Sequence, residues 1–216
     1  MFNLLIEKSL REYISATSSG RPTPGGGSVA ALAGSLGSAL TQMVGNLTFN
    51  KKSYEELDEK IQKKLDDNFD LLKLKMDNLS RIVDEDSKAF SCVMLAFKMP
   101  KDTEDEKQAR TMAIQEGYKK ALEVPLRCAE ECLEVLRSQL VFAEYGNINA
   151  ITDVGVGSLL AYAGLEGSLL NVRINLLSIQ DEEFKTQINK KMNSIMQEGS
   201  KLKEDIMKVV YRRLDK

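Results

Sequence analysis

The stretch that most restricts what this chain can fold into is Val29–Val44, VAALAGSLGSALTQMV, which carries no charged residue and, at Ala30, Ala31, Ala33, Gly34, Ser35, Gly37, Ser38 and Ala39, almost no side-chain bulk. A helix with so little substance on every face gains stability only where other backbones come close to it, in the middle of a bundle. It is preceded by TSSGRPTPGGGS, in which Pro22 and Pro24 fix φ, and Gly25, Gly26 and Gly27 offer a backbone that a ligand can approach closely. Ser28 reads as the N-cap of the helix. The free N–H groups and positive dipole end then face whatever lies against the glycines, a seat for an anion or a polar ring. The competing reading of GGG is a flexible turn, because the run matches neither nucleotide-binding glycine pattern. Attachment to a buried helix holds such a loop still.

The remaining chain reads as helix throughout. Leu4, Leu5, Leu10, Tyr13 and Ile14 give a short amphipathic helix that ends before Gly20. Ser53 with Glu56 forms a capping box. From there Leu57, Ile61, Leu65, Phe69, Leu72, Met76, Leu79, Val83, Phe90, Val93 and Phe97 form a stripe at spacings of three and four that ends at Pro100. This predicts one helix of roughly 45 residues, about 65 Å long. Thr103 and Glu106 make a second capping box, Pro125 marks a break or kink, and the pattern resumes to Tyr145. A second small-residue helix follows Gly146, and Asp181 opens a charged helix to the end. With no strand pairing, the expected fold class is all-α: one domain over residues 1–216, a bundle of long antiparallel helices. A helix that long overhangs a compact monomer, whose radius of gyration is about 17 Å, so a symmetric homo-oligomer, a dimer or a higher assembly, is expected.

Composition removes several function classes. Lysine plus arginine number 30 against 32 acids, a net charge of −2, which leaves no electrostatic footprint for nucleic acid or an anionic membrane. Histidine is absent, which excludes Ser-His-Asp and Cys-His catalysis and H-E-x-x-H zinc sites. Any acid–base work falls to carboxylates, Lys, Tyr, Cys or the substrate. Cys92, Cys128 and Cys132 lack zinc spacing and read as reduced core residues; no metal site is expected. The first residues, MFNLLIEKSLREY, are neither signal peptide nor anchor, and Val29–Val44 is short for a membrane span, so the expectation is a soluble cytoplasmic protein.

One residue breaks the long stripe. Counting Met76, Leu79, Val83, 86, Phe90, Val93, the slot at 86 holds an aspartate, while Asp84 and Ser87 lie round the side. A carboxylate buried without a partner costs several kcal/mol or shifts its pKa far upward. Asp86 is therefore either paired structurally or kept for chemistry, and a desolvated carboxyl poised near neutrality is what a histidine-free acid–base site needs. Asp153, near Gly146 and Asn147, is a second acid in small-residue surroundings, with an N-cap as its plainer reading.

Several separated segments occur in order: PTPGGGS, IVDEDSKAF, FKMPKDT, QEGYKKALEVPL, EYGNINAITD, NVRINL and DEEFKTQI. Together they resemble the formiminotetrahydrofolate cyclodeaminase / methenyltetrahydrofolate cyclohydrolase family over nearly the whole chain. The resemblance implies an all-helical domain that dimerises with folate near the subunit interface, here without a fused formiminotransferase. It also implies a catalytic aspartate at the position of VDEDS that is Asp86. The substrate would be a tetrahydrofolate derivative, possibly polyglutamylated, with no further cofactor. Gly25, Gly26, Gly27 and Ser28 would face the pterin or the one-carbon unit, Asn147 and Asp153 join the binding set, and Lys51, Lys52 or Lys101 would receive glutamate carboxylates. Two activities fit, deamination of formiminotetrahydrofolate and hydrolysis of methenyltetrahydrofolate. A non-catalytic folate-binding or scaffold dimer is the reading from another class.

Overall fold

The computed structural model describes residues 4–215, apart from the side chains of residues 90–92; Phe90 of the stripe and the Cys92 thiol thus lie outside what is described. The described residues contain no strand. Seven α-helices run in order: α1 (Leu10–Thr17), α2 (Gly26–Phe49), α3 (Lys52–Glu55), α4 (Glu59–Phe97), α5 (Glu104–Tyr145), α6 (Ile151–Leu176) and α7 (Glu182–Leu214). Short 3-10 turns at Leu5–Glu7 and Ile148–Ala150 complete the set.

α2 lies at the centre, and its small residues have two separate uses. On one side its serines donate to backbone carbonyls of α4: Ser28 Oγ to Val83 O (2.8 Å), Ser35 Oγ to Met76 O (3.2 Å) and Ser38 Oγ to Leu72 O (2.7 Å). Rising numbers on α2 meet falling numbers on α4, so the two are antiparallel. On the other side, glycines bring α2 and α6 into backbone contact. A Cβ at Gly37 would come within 2.6 Å of Gly157 O, and one at Gly164 within 2.7 Å of Ala30 O. These helices are also antiparallel, and glycine is required by the close approach itself.

Cross-helix contacts fix the rest. Asn78 with Glu131 and Arg127 with Glu85 set α4 antiparallel to α5, whereas Arg137–Glu198, Lys191–Glu130 and Arg212–Glu144 set α5 parallel to α7 across the bundle. The core between them is filled by Phe142, Leu65, Leu72, Leu79, Leu122, Leu136 and Leu165, all fully buried. α6, with the 3-10 turn before it, is long and apolar enough to cross a membrane by length and composition; half of that window is buried inside the molecule, against α2, α5 and α7.

Three sequence expectations change. The long helix does not begin at Ser53: Asp58 is its N-cap, accepting from Lys60 N (2.9 Å). α3 is a separate turn whose carbonyl end is capped by Gln62 Nε2, bonded to Tyr54 O, Glu55 O and Leu57 O. Even so α4 has 39 residues, about 58 Å. Pro125 does not break α5, which runs unbroken for 42 residues. Its lost N–H bond is tolerated because the proline is buried in a helix held by neighbours on both sides. Finally, Ser28 is not the N-cap of α2. Gly25 holds that position with no side-chain bond, and Ser28 sits inside the first turn.

Candidate functional site

The site forms where the start of α2 meets the later half of α4, the first half of α5 and the end of α6. A cavity of about 390 Å³ is lined there by Pro22, Thr23, Gly25, Gly26 and Gly27, by Asp86 and Ala89 of α4, Tyr118 and Ala121 of α5, and Asn171, Ile174 and Asn175 of α6 with Leu177 and Ser178 beyond it. Among the described residues, Asp86 is the one charged side chain in this lining.

Asp86 lies directly over the glycine turn. A Cβ added to Gly27 would meet the Asp86 Cγ at 2.5 Å and Oδ2 at 2.7 Å. Half-buried, Asp86 has its pKa raised from 3.8 by loss of solvent, and a hydrogen bond from the Ser28 backbone opposes that rise only in part. Among the described residues no cation lines the cavity wall.

The supporting layer is made of hydroxyls. Ser28 Oγ donates its single proton to Val83 O, so the buried Tyr13 OH, 2.9 Å away, must be the donor to Ser28 Oγ. This chain ties α1 and the first turn of α2 to α4 one turn before Asp86. Asp84 ties it a second time, accepting from Leu5 N (2.6 Å) and Ile6 N (3.3 Å). By spacing alone Asp84 lies round the side of the stripe. It is in fact the more deeply buried of the two acids, because the N-terminal segment folds over it. Asp84 is thus the structurally paired carboxylate, and Asp86 is the one left facing the cavity.

The far wall is held by α5 and the loop after α6. Gln115 Nε2 donates to Ser178 O (3.0 Å), Gln180 N donates to Gln115 Oε1 (2.8 Å), and Lys119 pairs with Asp181 (2.7 Å). Asn171 Nδ2 is spent on Gly167 O and Asn175 Nδ2 on Asn171 O, so each asparagine keeps its amide oxygen as an acceptor. Tyr118 packs edge-on against Phe97.

Of the residues named from sequence, the fold brings Gly25, Gly26, Gly27 and Asp86 together, with Ser28 fully buried just beneath them. It does not bring the others to this cavity. Lys51 and Lys52 lie past the opposite end of α2, whose 24 residues span about 36 Å. Lys52 is paired with Glu56. Asn147 is bonded to Thr48 and Leu47 at that same far end, and Asp153 sits in the first turn of α6, 18 residues before Asn171. Lys101 is exposed in the loop between α4 and α5. Tyr118, Asn171 and Asn175 are not among the site residues expected from sequence, although the segments QEGYKKALEVPL and NVRINL that hold them are among those that carry the resemblance; the local signal was a pair of asparagines spaced i, i+4 on one helix.

The family model described as formiminotransferase-cyclodeaminase matches residues 9–194. A methenyltetrahydrofolate cyclohydrolase of Methylorubrum extorquens is 37% identical over 96% of this chain and 98% of its own length. A formimidoyltransferase-cyclodeaminase of Gallus gallus is 36% identical over 97% of this chain, which spans 38% of that longer protein. The solved structure of a formiminotetrahydrofolate cyclodeaminase from Thermotoga maritima superposes with a TM-score of 0.83 at 26% identity, covering 95% of this chain and 96% of that one. The chain therefore belongs to the formiminotransferase-cyclodeaminase family.

Proposed function

We propose that this chain is a folate one-carbon enzyme that converts formiminotetrahydrofolate to methenyltetrahydrofolate and ammonia, with Asp86 as the proton-transfer group. The observation that carries this reading is the lone Asp86 carboxyl, raised by desolvation and placed over a backbone stripped of side chains. In the reaction N10 attacks the protonated formimino carbon attached to N5. The Asp86 carboxylate takes the N10 proton and then delivers it to the amino group, which departs as ammonia while the N5 lone pair closes the methenyl cation. A carboxyl whose pKa is moved toward neutrality suits both directions of transfer. The amide oxygens of Asn171 and Asn175 supply acceptors for ring N–H groups.

Hydrolysis of methenyltetrahydrofolate is the second reading, supported by the whole-length similarity to the Methylorubrum cyclohydrolase. The same carboxylate would there take a proton from the attacking water. Incubation of purified protein separately with formiminotetrahydrofolate and methenyltetrahydrofolate, following ammonia release and the methenyl absorbance, distinguishes the two. Turnover of neither leaves the non-catalytic binding dimer.

The active form is proposed to be a homodimer. α2 and α6, which adjoin, both leave apolar side chains exposed, among them Leu36 and Met43 on one and Leu159, Leu170 and Ile174 on the other. Exposed apolar side chains on two adjoining helices suit a protein–protein contact. Ile174 and Leu177 also line the cavity, so a partner docked here would stand at its rim.

A further inference from the structure

Two segments far apart in sequence meet in the far wall of the Asp86 cavity: α5 contributes Tyr118 and Ala121, and the linker after α6 contributes Leu177 and Ser178. Leu176 and Ile179 anchor that linker in the core, which leaves the exposed Leu177 and the half-buried Ser178 between them at the cavity. Its first N–H groups turn back on α6, Ser178 N donating to Asn175 O (3.1 Å) and Ile179 N to Leu176 O (3.2 Å). Ser178 O and Gln180 N go instead to a single side chain of α5. Gln115 Nε2 donates to the carbonyl (3.0 Å), and Gln115 Oε1 accepts from the N–H (2.8 Å). Gln115 stands one turn before Tyr118, so the stretch of α5 that presents the aromatic ring also sets where Ser178 stands. A carboxamide can make both bonds because it is donor and acceptor at once; a carboxylate only accepts and an ammonium only donates. The neighbouring Lys119–Asp181 pair has side chains 30% and 43% exposed, and a pair so open to water holds little.

We propose that Gln115 is a positioning residue for the folate reaction: its two-point clamp fixes the spacing between Tyr118 and Ser178, and with it the width of the cavity that the substrate fills. The inference rests on the cavity being the folate site. Leu176 and Ile179 keep the linker attached to the core without help from Gln115, so the clamp adds the exact placement of the Ser178 backbone rather than the fold. A wall free to shift loses its contact with a bound ring before it loses its place in the molecule. Asp86 is carried by α4, which the clamp does not touch, so the effect falls on binding and leaves proton transfer in place.

The test compares the wild type with three variants. Q115M keeps the length of the side chain without its bonds, and Q115E keeps the acceptor for Gln180 N but sets a carboxylate against Ser178 O. The control Q62M removes a glutamine bonded to the carbonyls of Tyr54, Glu55 and Leu57 at the α3 end of the molecule. Q115M should raise KM for the folate that is turned over about tenfold, and weaken tetrahydrofolate binding in calorimetry to the same extent, with kcat within about twofold of the wild type. Q115E should restore neither, and Q62M should leave both at the wild-type value. Amide exchange at residues 177–181 should be faster in Q115M and unchanged in Q62M. Wild-type affinity in Q115M or Q115E, a loss confined to kcat, or a matching loss in Q62M overturns the assignment. A wild type that neither binds tetrahydrofolate nor turns over a folate sinks the proposed activity, while amide exchange in Q115M still decides whether the clamp holds the linker.

Discussion

The Asp86 carboxylate occupies the volume that a side chain at Gly27 would fill, with its Oδ2 2.7 Å from where the Cβ would stand. The glycine is thus a steric requirement of the acid. Gly27→Ala should displace Asp86 or the first turn of α2, lower stability by about 1–3 kcal/mol and reduce kcat. In an Asp86→Ala background the same change should be far milder, and the double-mutant cycle measured by denaturant unfolding reads the coupling directly. Gly20→Ala, with nothing within 4 Å of the added carbon, is the neutral control.

Asp86→Asn separates a catalytic acid from a structural one. Loss of proton transfer should lower kcat by about 10²–10⁴-fold with folate binding retained. The folded state holds the Asp86 proton more tightly than the unfolded chain does, so ionisation of Asp86 weakens the fold progressively as pH rises from about 3.8 to the raised value, and fully above it. The asparagine variant should therefore melt at or above the wild-type temperature at neutral pH, an advantage that vanishes in acid.

The pH profile of turnover follows from the same group. Activity requires the carboxylate, so kcat/KM should rise along an acid limb whose midpoint lies above the ordinary carboxylate range, because desolvation raises Asp86. Asp86→Asn should abolish that limb; a limb unchanged in the variant would assign it to the substrate.

The buried hydroxyl chain has a direction, Tyr13 to Ser28 to Val83, and it predicts asymmetry. Ser28→Ala strands the Tyr13 hydroxyl and should cost about 1–3 kcal/mol, whereas Tyr13→Phe removes only the outermost donor and should cost about 1 kcal/mol. The double variant should lose less than the sum. Thermal or urea unfolding checks all three.

Leu36→Lys combined with Leu170→Lys places charge on the exposed apolar edges of α2 and α6. Sedimentation should shift from dimer to monomer while helicity by circular dichroism is kept. A monomeric wild type would remove this part of the proposal.

Fold class was legible because its signals are local: the bulk-free run of α2 and the stripe of α4 each report a burial pattern within one segment. The pairing of Gly27 with Asp86 was legible in halves, as glycines with no side chains and an acid in an apolar slot, and folding brings the halves together. What sequence misjudged depends on distant partners. Ser28 follows the local rule for a helix cap, yet its hydroxyl is claimed by Val83, 55 residues on. Asp84 looked peripheral because nothing near it in sequence announces that Leu5 and Ile6 will cover it. Tyr118 and Asn171 reach the cavity from different helices, and a surface lysine carries no local mark of where its helix will end, so the sequence of Lys51 and Lys52 does not show that they stand a helix length from Asp86.

The glycine seam between α2 and α6 has a consequence for how anything enters. Backbone resting on backbone at Gly37, Gly157, Gly164 and Ala30 has no rotamers to rearrange and little space to yield, so α2 and α6 cannot slide apart to widen the cavity that the ends of both helices border. Admission falls to the short linkers on either side, residues 18–25 and 177–181, and slow hydrogen exchange along the seam beside faster exchange in those linkers would be its signature.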